Sequence, residues 1–261
     1  MSLKYWVPAI ERTDRILKEI SQHPNELRLI DLSKKLDINK SSLFSLLNTL
    51  ETLGWIIKSS KGCYNLGPTV GMFNSAYLSQ FNLIQSFYRE AESAVTRIRE
   101  HIQLGMLEGN NVVYLGKVEA ETRVQLVTEP GMRFPAYASA LGKIQLIDHT
   151  AEEIECLFPV KKWEKKTEYT TSSIEELYCK VKEARAKGYA VENQESALGF
   201  HCVAAPIYNF EKHIIAGISF TMPTNSWEEK FEDAKDEIII LASKLSRLAG
   251  YQEVAEGTEV L

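Results

Sequence analysis

Residues 30–57, IDLSKKLDINKSSLFSLLNTLETLGWII, hold the pattern on which the fold of the N-terminal region turns. Leu32 and Leu36 stand one helical turn apart around Ser33, Lys34 and Lys35, which predicts a short helix over about 30–36. Asp37-Ile38-Asn39 makes a tight turn with Ile38 as its apolar plug. A further helix runs from Lys40 to Leu53 and stops at Gly54, a residue suited to ending helices. On a helical projection Leu43, Leu46, Leu47, Leu50 and Leu53 gather on one side. Ser41, Ser45, Asn48 and Thr52 centre on the other, flanked by Phe44 and Thr49. That outer face is small, polar and almost uncharged. A merely solvated helix more often carries Glu and Lys there, whereas hydroxyls and an amide suit close approach to a groove and hydrogen bonds with base edges.

Working outward, Pro8 opens an earlier helix over about 8–21 with Ile10, Thr13, Leu17 and Ile20 on one face, closed by the breaker cluster His23-Pro24-Asn25. On the other side, Trp55–Lys58 and Cys63–Leu66 bracket Ser59-Ser60-Lys61-Gly62, a two-stranded hairpin with a lysine near its tip. Three helices with a tight turn before the third, then a hairpin, give the winged helix-turn-helix layout. A compact three-helix interaction module with a solvated hairpin is the alternative. The candidate DNA-binding residues are Lys40, Ser41, Ser42, Phe44, Ser45 and Asn48 on the third helix, with Lys58 and Lys61 for phosphate.

Composition agrees with two modules. Residues 1–67 carry ten Lys and Arg against seven Asp and Glu, so +3, which leaves −8 for the rest of a chain whose net charge is −5. Hydrophobic residues make up 44% and charged residues 25% of the 261, the balance of a globular protein. No apolar stretch reaches the ~18–20 residues that span a bilayer. The N-terminus has no apolar segment of signal-peptide type. Four scattered cysteines, Cys63, Cys156, Cys179 and Cys202, lack metal or disulfide spacing, so the chain is expected in the cytoplasm with reduced thiols and no metal or cofactor.

Gly67-Pro68 ends the hairpin, and residues 68–81 read as a linker helix too apolar to stand alone. It packs on a partner subunit, on helix one, or on both, with Phe73, Ala76 and Tyr77 as candidate subunit contacts. A longer helix covers 83–101. Strands are then expected at Ile102–Glu108, Val112–Val118 and Arg123–Thr128, helices at 138–148, 151–157 and 173–187, and strands at Tyr189–Glu192, Cys202–Tyr208 and His213–Thr221. A last helix spans 227–249, before a loose tail over 251–261. Strands gathered without regular β–α alternation make residues 82–250 an α+β sensor-like domain with a mainly antiparallel sheet.

ILKEISQHPNELRLIDLSKKLDINKSSLFSLLNTLETLGWI with CYNLG, then YASALGKIQL, KGYAVENQESALGFHCVAAPI and IIAGISFTMP, resemble in order and spacing the IclR-type bacterial transcriptional regulators. The most specific part runs from Glu195 through Gly199 and Cys202 to Ile207. The resemblance implies a DNA-binding repressor rather than an enzyme, with a GAF-like C-terminal domain that binds a small effector. It also implies a homodimer that in the family often pairs into a tetramer. Ser45 stands where members usually carry arginine, which removes a phosphate or guanine contact.

The implied effector site comprises the loop and helix start Ser139, Ala140, Leu141 and Gly142, the polar residues Glu192, Cys202, Ser219 and Thr221, and an apolar wall of Phe134, Phe200 and Phe220. Small residues at a helix start leave backbone N–H groups for a carboxylate, so a small organic acid is the expected ligand. Close packing of helix on sheet is the alternative reading of that loop. Ser219 and Thr221 alternate on one strand and share a face. Glu192 either accepts from a ligand hydroxyl or repels a carboxylate. The competing functions are an intracellular ligand-binding module and a thiol hydrolase using Cys202. Against the latter, His201 is adjacent on a strand and faces the other way.

Overall fold

Three helices, α1 (Pro8–Gln22), α2 (Leu29–Leu36) and α3 (Lys40–Thr52), open the chain. The computed structural model describes residues 6–122, 128–159 and 163–252, with backbone alone at 78–80. The α2–α3 turn closes on its own side chains. Asp37 takes the left-handed conformation at φ 52°, and short polar Asp tolerates it better than most residues. Ser33 accepts from Ile38 N–H at 3.2 Å through its carbonyl and returns its hydroxyl to Ile38 O at 2.7 Å. Asn39 then caps α3, its Oδ1 accepting Ser42 N–H at 2.8 Å.

Ile16, Ile20, Leu32, Leu36, Ile38, Leu43, Leu47 and Leu50 form the core of this region. Two apolar residues expected inward lie outside. Ile10 is 68% exposed, because at 100° per residue it sits roughly 80° round from Ile20, on the flank away from Ile16. Leu53 follows the last residue of α3 as its C-cap and is exposed.

β1 (Ile56–Lys58) pairs antiparallel with β2 (Tyr64–Leu66), Ile56 opposite Leu66. Gly67 then crosses the end of α3 so closely that a Cβ would lie 2.3 Å from the Gly54 carbonyl oxygen. α4 (Pro68–Gln80) is anchored to this crossing: Thr69 Oγ1 donates to Leu53 O at 3.0 Å, and Phe73 meets the Trp55 ring edge-on at 5.7 Å. Met72, Phe73 and Tyr77 nevertheless stay exposed. The chain forms two compact units, one ending at Gln80 and one beginning at Phe81.

In the second unit, α5 (Leu83–Ile98) leads into β3 (His101–Glu108) and β4 (Asn111–Val118). β5 (Arg133–Pro135) is followed by a 3-10 turn at Ala136–Ala138 and by α6 (Ala140–Gln145), α7 (Ala151–Leu157) and α8 (Ile174–Lys187). β6 (Ala190–Asn193), β7 (Phe200–Tyr208), β8 (Ile214–Pro223) and α9 (Thr224–Leu248) complete it. The strands form one antiparallel sheet in the order β5-β4-β3-β8-β7-β6. One face buries Ile102, Leu104, Val203 and Phe220 beneath α5 and α9; the other carries Val112, Tyr114 and Ala204 under α6, α7 and α8.

The helix expected over 138–148 is broken: Ser139 is extended, and its Oγ caps α6 by accepting Gly142 N–H at 3.0 Å. Of the strand expected at Arg123–Thr128, residues 123–127 lie outside the described residues and Thr128 is not in a strand. The neighbour of β4 on the side away from β3 is β5, with Phe134 opposite Val112. The tail beyond Gln252 also lies outside the described residues.

Candidate functional site

The outer face of α3 is where the sequence placed it. Lys40, Ser41, Phe44, Ser45 and Asn48 are exposed, while Ser42 is half-buried and gives its amide to the Asn39 cap. Ser45, Thr49 and Thr52 hydroxyls donate back to the carbonyls of Ser41, Ser45 and Asn48 at 3.2, 2.9 and 2.8 Å. Their oxygens keep lone pairs for an incoming donor, and the rotors can turn outward. Lys58 holds its ammonium 5.5 Å over the Tyr64 ring, and Lys61 is exposed in the hairpin turn.

In the second unit, a cavity of about 210 Å³ opens between the sheet and the start of α6. Nine of the eleven effector-site residues inferred from sequence line it: Phe134, Ser139, Ala140, Leu141, Glu192, Phe200, Cys202, Ser219 and Thr221. The other two do not. Phe220 alternates with Ser219 and Thr221, so it points through the sheet into the core under α5 and α9, fully buried. Gly142 serves packing: a Cβ there would fall 2.0 Å from Ala136 O, and its N–H is taken by Ser139.

Strand register explains the convergence. Glu192 on β6 lies opposite Cys202 on β7, Cys202 opposite Thr221 on β8, and Ser219 opposite Gln103 on β3, all on the cavity face. Thr221 Oγ1 sits 3.3 Å from Cys202 Sγ and donates to Gln103 Oε1 at 3.2 Å; Gln103 in turn donates to Thr128. Ser219 and Tyr114, both more than nine-tenths buried, make no side-chain hydrogen bond among the described residues.

Glu192 is fully buried. Its Oε1 accepts the amides of Glu195 and of Ser196, the latter at 2.8 Å, and its Oε2 accepts the Ser196 hydroxyl at 3.2 Å. Burial raises its carboxyl above the ordinary range, against the opposing pull of the Ser196 amide and Lys143. Burial and Glu192 together push the Cys202 thiol well up, which disfavours the thiolate that a nucleophile requires. His201 turns to the opposite side, between Asn193 and Thr224 at 3.2 and 3.1 Å and stacked on Trp227. Burial lowers its pKa. The two residues form no catalytic pair.

Sequence reasoning missed Gln103, Tyr114, Thr128, Ser196 and Ala197 in the cavity wall. Gln103 had a signal: a polar residue between Ile102 and Leu104 in a strand belongs on the face opposite theirs. Also missed was a buried ion pair beside the cavity. Lys143, 1% exposed, contacts Glu195 at 2.5 Å, and Glu195 also receives Thr171 Oγ1 and Lys180. Burial works against the Glu195 charge, but Lys143, Thr171 and Lys180 outweigh it and hold the carboxyl below its ordinary value.

Comparison with known proteins agrees with this architecture. The family model "Bacterial transcriptional regulator IclR C-terminal" matches residues 75–247, and "IclR helix-turn-helix domain" matches residues 9–59. The chain is 28% identical over 247 residues to the HTH-type transcriptional regulator XynR of Escherichia coli, covering 94% of this chain and 98% of that one. To KdgR of the same organism it is 26% identical over 249 residues, with 95% and 94% covered. The crystal structure of the Agobacterium tumefaciens repressor BlcR superposes with a TM-score of 0.80 at 27% identity, covering 97% of this chain and all of that one.

Proposed function

Because the chain belongs to the IclR family of bacterial transcriptional regulators, we propose that it is a homodimeric operator-binding repressor controlled by a small organic acid. In this reading residues 1–67 read DNA, 68–81 form the linker helix, 82–250 hold the effector, and the protein works in the cytoplasm, where its operator lies. The repressor sense is supported by the likeness to the Agobacterium tumefaciens repressor BlcR. The cavity carries the effector reading. Its volume of about 210 Å³ lies below the ~300–1,000 Å³ of pockets for drug-sized ligands, and its wall includes the unpartnered hydroxyls of Ser219 and Tyr114.

The ligand's carboxylate faces the Ser139–Leu141 side and its second polar group faces Ser219 and Thr221. Gly142 is withdrawn from that role, since Ser139 occupies its amide. Phe134 and Phe200 limit the ligand to a compact acid. Calorimetry on the full chain with short keto and hydroxy acids, repeated on Ser219→Ala/Thr221→Ala, tests the assignment. Binding is expected to weaken about tenfold or more, two neutral hydrogen bonds at ~1 kcal/mol each giving roughly thirtyfold. Unchanged binding in the double variant removes these residues from the site. Loss of operator retardation when the same acid is added tests the control it exerts.

A further inference from the structure

We propose that Glu192 binds the acid effector in its neutral carboxyl form, so that capture of the effector is coupled to the uptake of one proton. This rests on the effector reading above and specifies its chemistry. A cavity for an anion ordinarily offers a cation. Among the described residues this one offers no Lys, Arg or His in its lining, and one carboxyl group.

The cations nearby are already matched. Lys143 of α6 is held by Glu195, and Lys180 of α8 lies between Glu176 and Glu195 at 2.9 and 3.1 Å. Two lysines thus face two glutamates, and Glu192 is the surplus carboxyl. The other titratable groups that bear on it are Cys202 of β7 and Tyr114 of β4, both held neutral by burial. Lys143 and Glu195 act on it with opposite sign, and His201 belongs to the far face of the sheet.

An effector carboxylate brought into this space adds a second negative charge near the first, and like charges in a shared low-dielectric site force one group to protonate. Glu192 is the group placed to do so. Its Oε1 is engaged by two amides and its Oε2 by Ser196 Oγ, while the Cys202 thiol also donates to the carboxylate. That rotatable thiol can turn to Thr221 Oγ1, 3.3 Å away, and leave an Oε2 position for the proton. In that state Glu192 donates to an effector oxygen instead of repelling it. Tyr114 and Ser219 stand ready as further donors. No bond is made or broken beyond this transfer from solvent to Oε2.

Calorimetry of the full-length protein with pyruvate, from pH 5.5 to 8.5 in buffers of low and high ionisation enthalpy, counts the protons. The expected result is uptake approaching one proton at the alkaline end, with Kd rising toward tenfold per pH unit. Glu192→Gln, which keeps the shape and supplies a permanent N–H donor, should abolish the slope and bind pyruvate more tightly than wild type at pH 8.5. Binding that is independent of pH with no proton taken up overturns the coupling while leaving the acid site intact. So does a Gln variant that folds and loses affinity at every pH, which makes Glu192 a charged acceptor. If neither pyruvate nor lactate binds at pH 5.5 while pyruvamide does, the organic-acid reading itself falls, and this inference with it. The wild-type proton count stands even if the variant fails to fold.

Discussion

Lys143 lies buried in the second unit with its ammonium on Glu195. Removing one partner from a buried ion pair strands the other, at about 3–5 kcal/mol. Lys143→Met should therefore lower stability in urea, toward the smaller figure because Lys180 still reaches Glu195 at 3.1 Å. The same pair sets an acid limit. Glu195 has a folded pKa below its unfolded one, so its contribution is present above the ordinary carboxylate range and is lost as pH falls through the folded value. Melting temperatures should drop on acidification below about pH 4.3, and Glu195→Gln should flatten that limb. On α3, Asn48→Ala should relax operator preference and cost roughly 1–3 kcal/mol, the range for a bidentate base contact. Lys61→Ala should weaken all sequences alike and shallow the salt dependence of a mobility-shift series.

At the level of elements, α4 poses the clearest question. It is tied to α3 at one end, yet Met72, Phe73 and Tyr77 face solvent in the single chain. We expect this face to be covered by a second subunit. Tyr77→Ser should shift the sedimentation equilibrium toward monomer at micromolar concentration, and a monomeric wild type would defeat the idea. Long periodic elements such as α1, α3 and α9 were legible from leucine and isoleucine spacing, and the turn around Ile38 from its flanking Asp and Asn. β5 was not, being three residues ending in proline, too short for a period to register. Most of the cavity wall was recovered through family resemblance, but that same resemblance placed Phe220 in it, where simple alternation with Ser219 and Thr221 sends it to the other face. The burial of Lys143 had no local sign at all, since its partner lies 52 residues away.

For the whole molecule, any control of DNA binding by an effector is a coupling free energy and must run both ways. If an acid lowers operator affinity by some factor, saturating operator DNA must lower the affinity for that acid by the same factor, typically about 5–150-fold. Titrating the acid into protein with and without duplex measures it, and equal affinities would show that the acid does not control this protein. The sheet also has a history in time. Gln103 on β3 pairs with Ser219 on β8, 116 residues later, whereas every core contact of the N-terminal unit closes before Leu66. At translation rates of roughly 5–20 residues per second, the β3–β4 hairpin waits on the order of 6–23 seconds for its second neighbour to be made. The nascent chain therefore carries a finished helix-turn-helix unit well before the sheet of the second unit is complete. If the second unit controls DNA binding as proposed, ribosome stalling or premature termination in that interval releases a head that no effector can switch, together with an apolar strand edge for chaperones to cover.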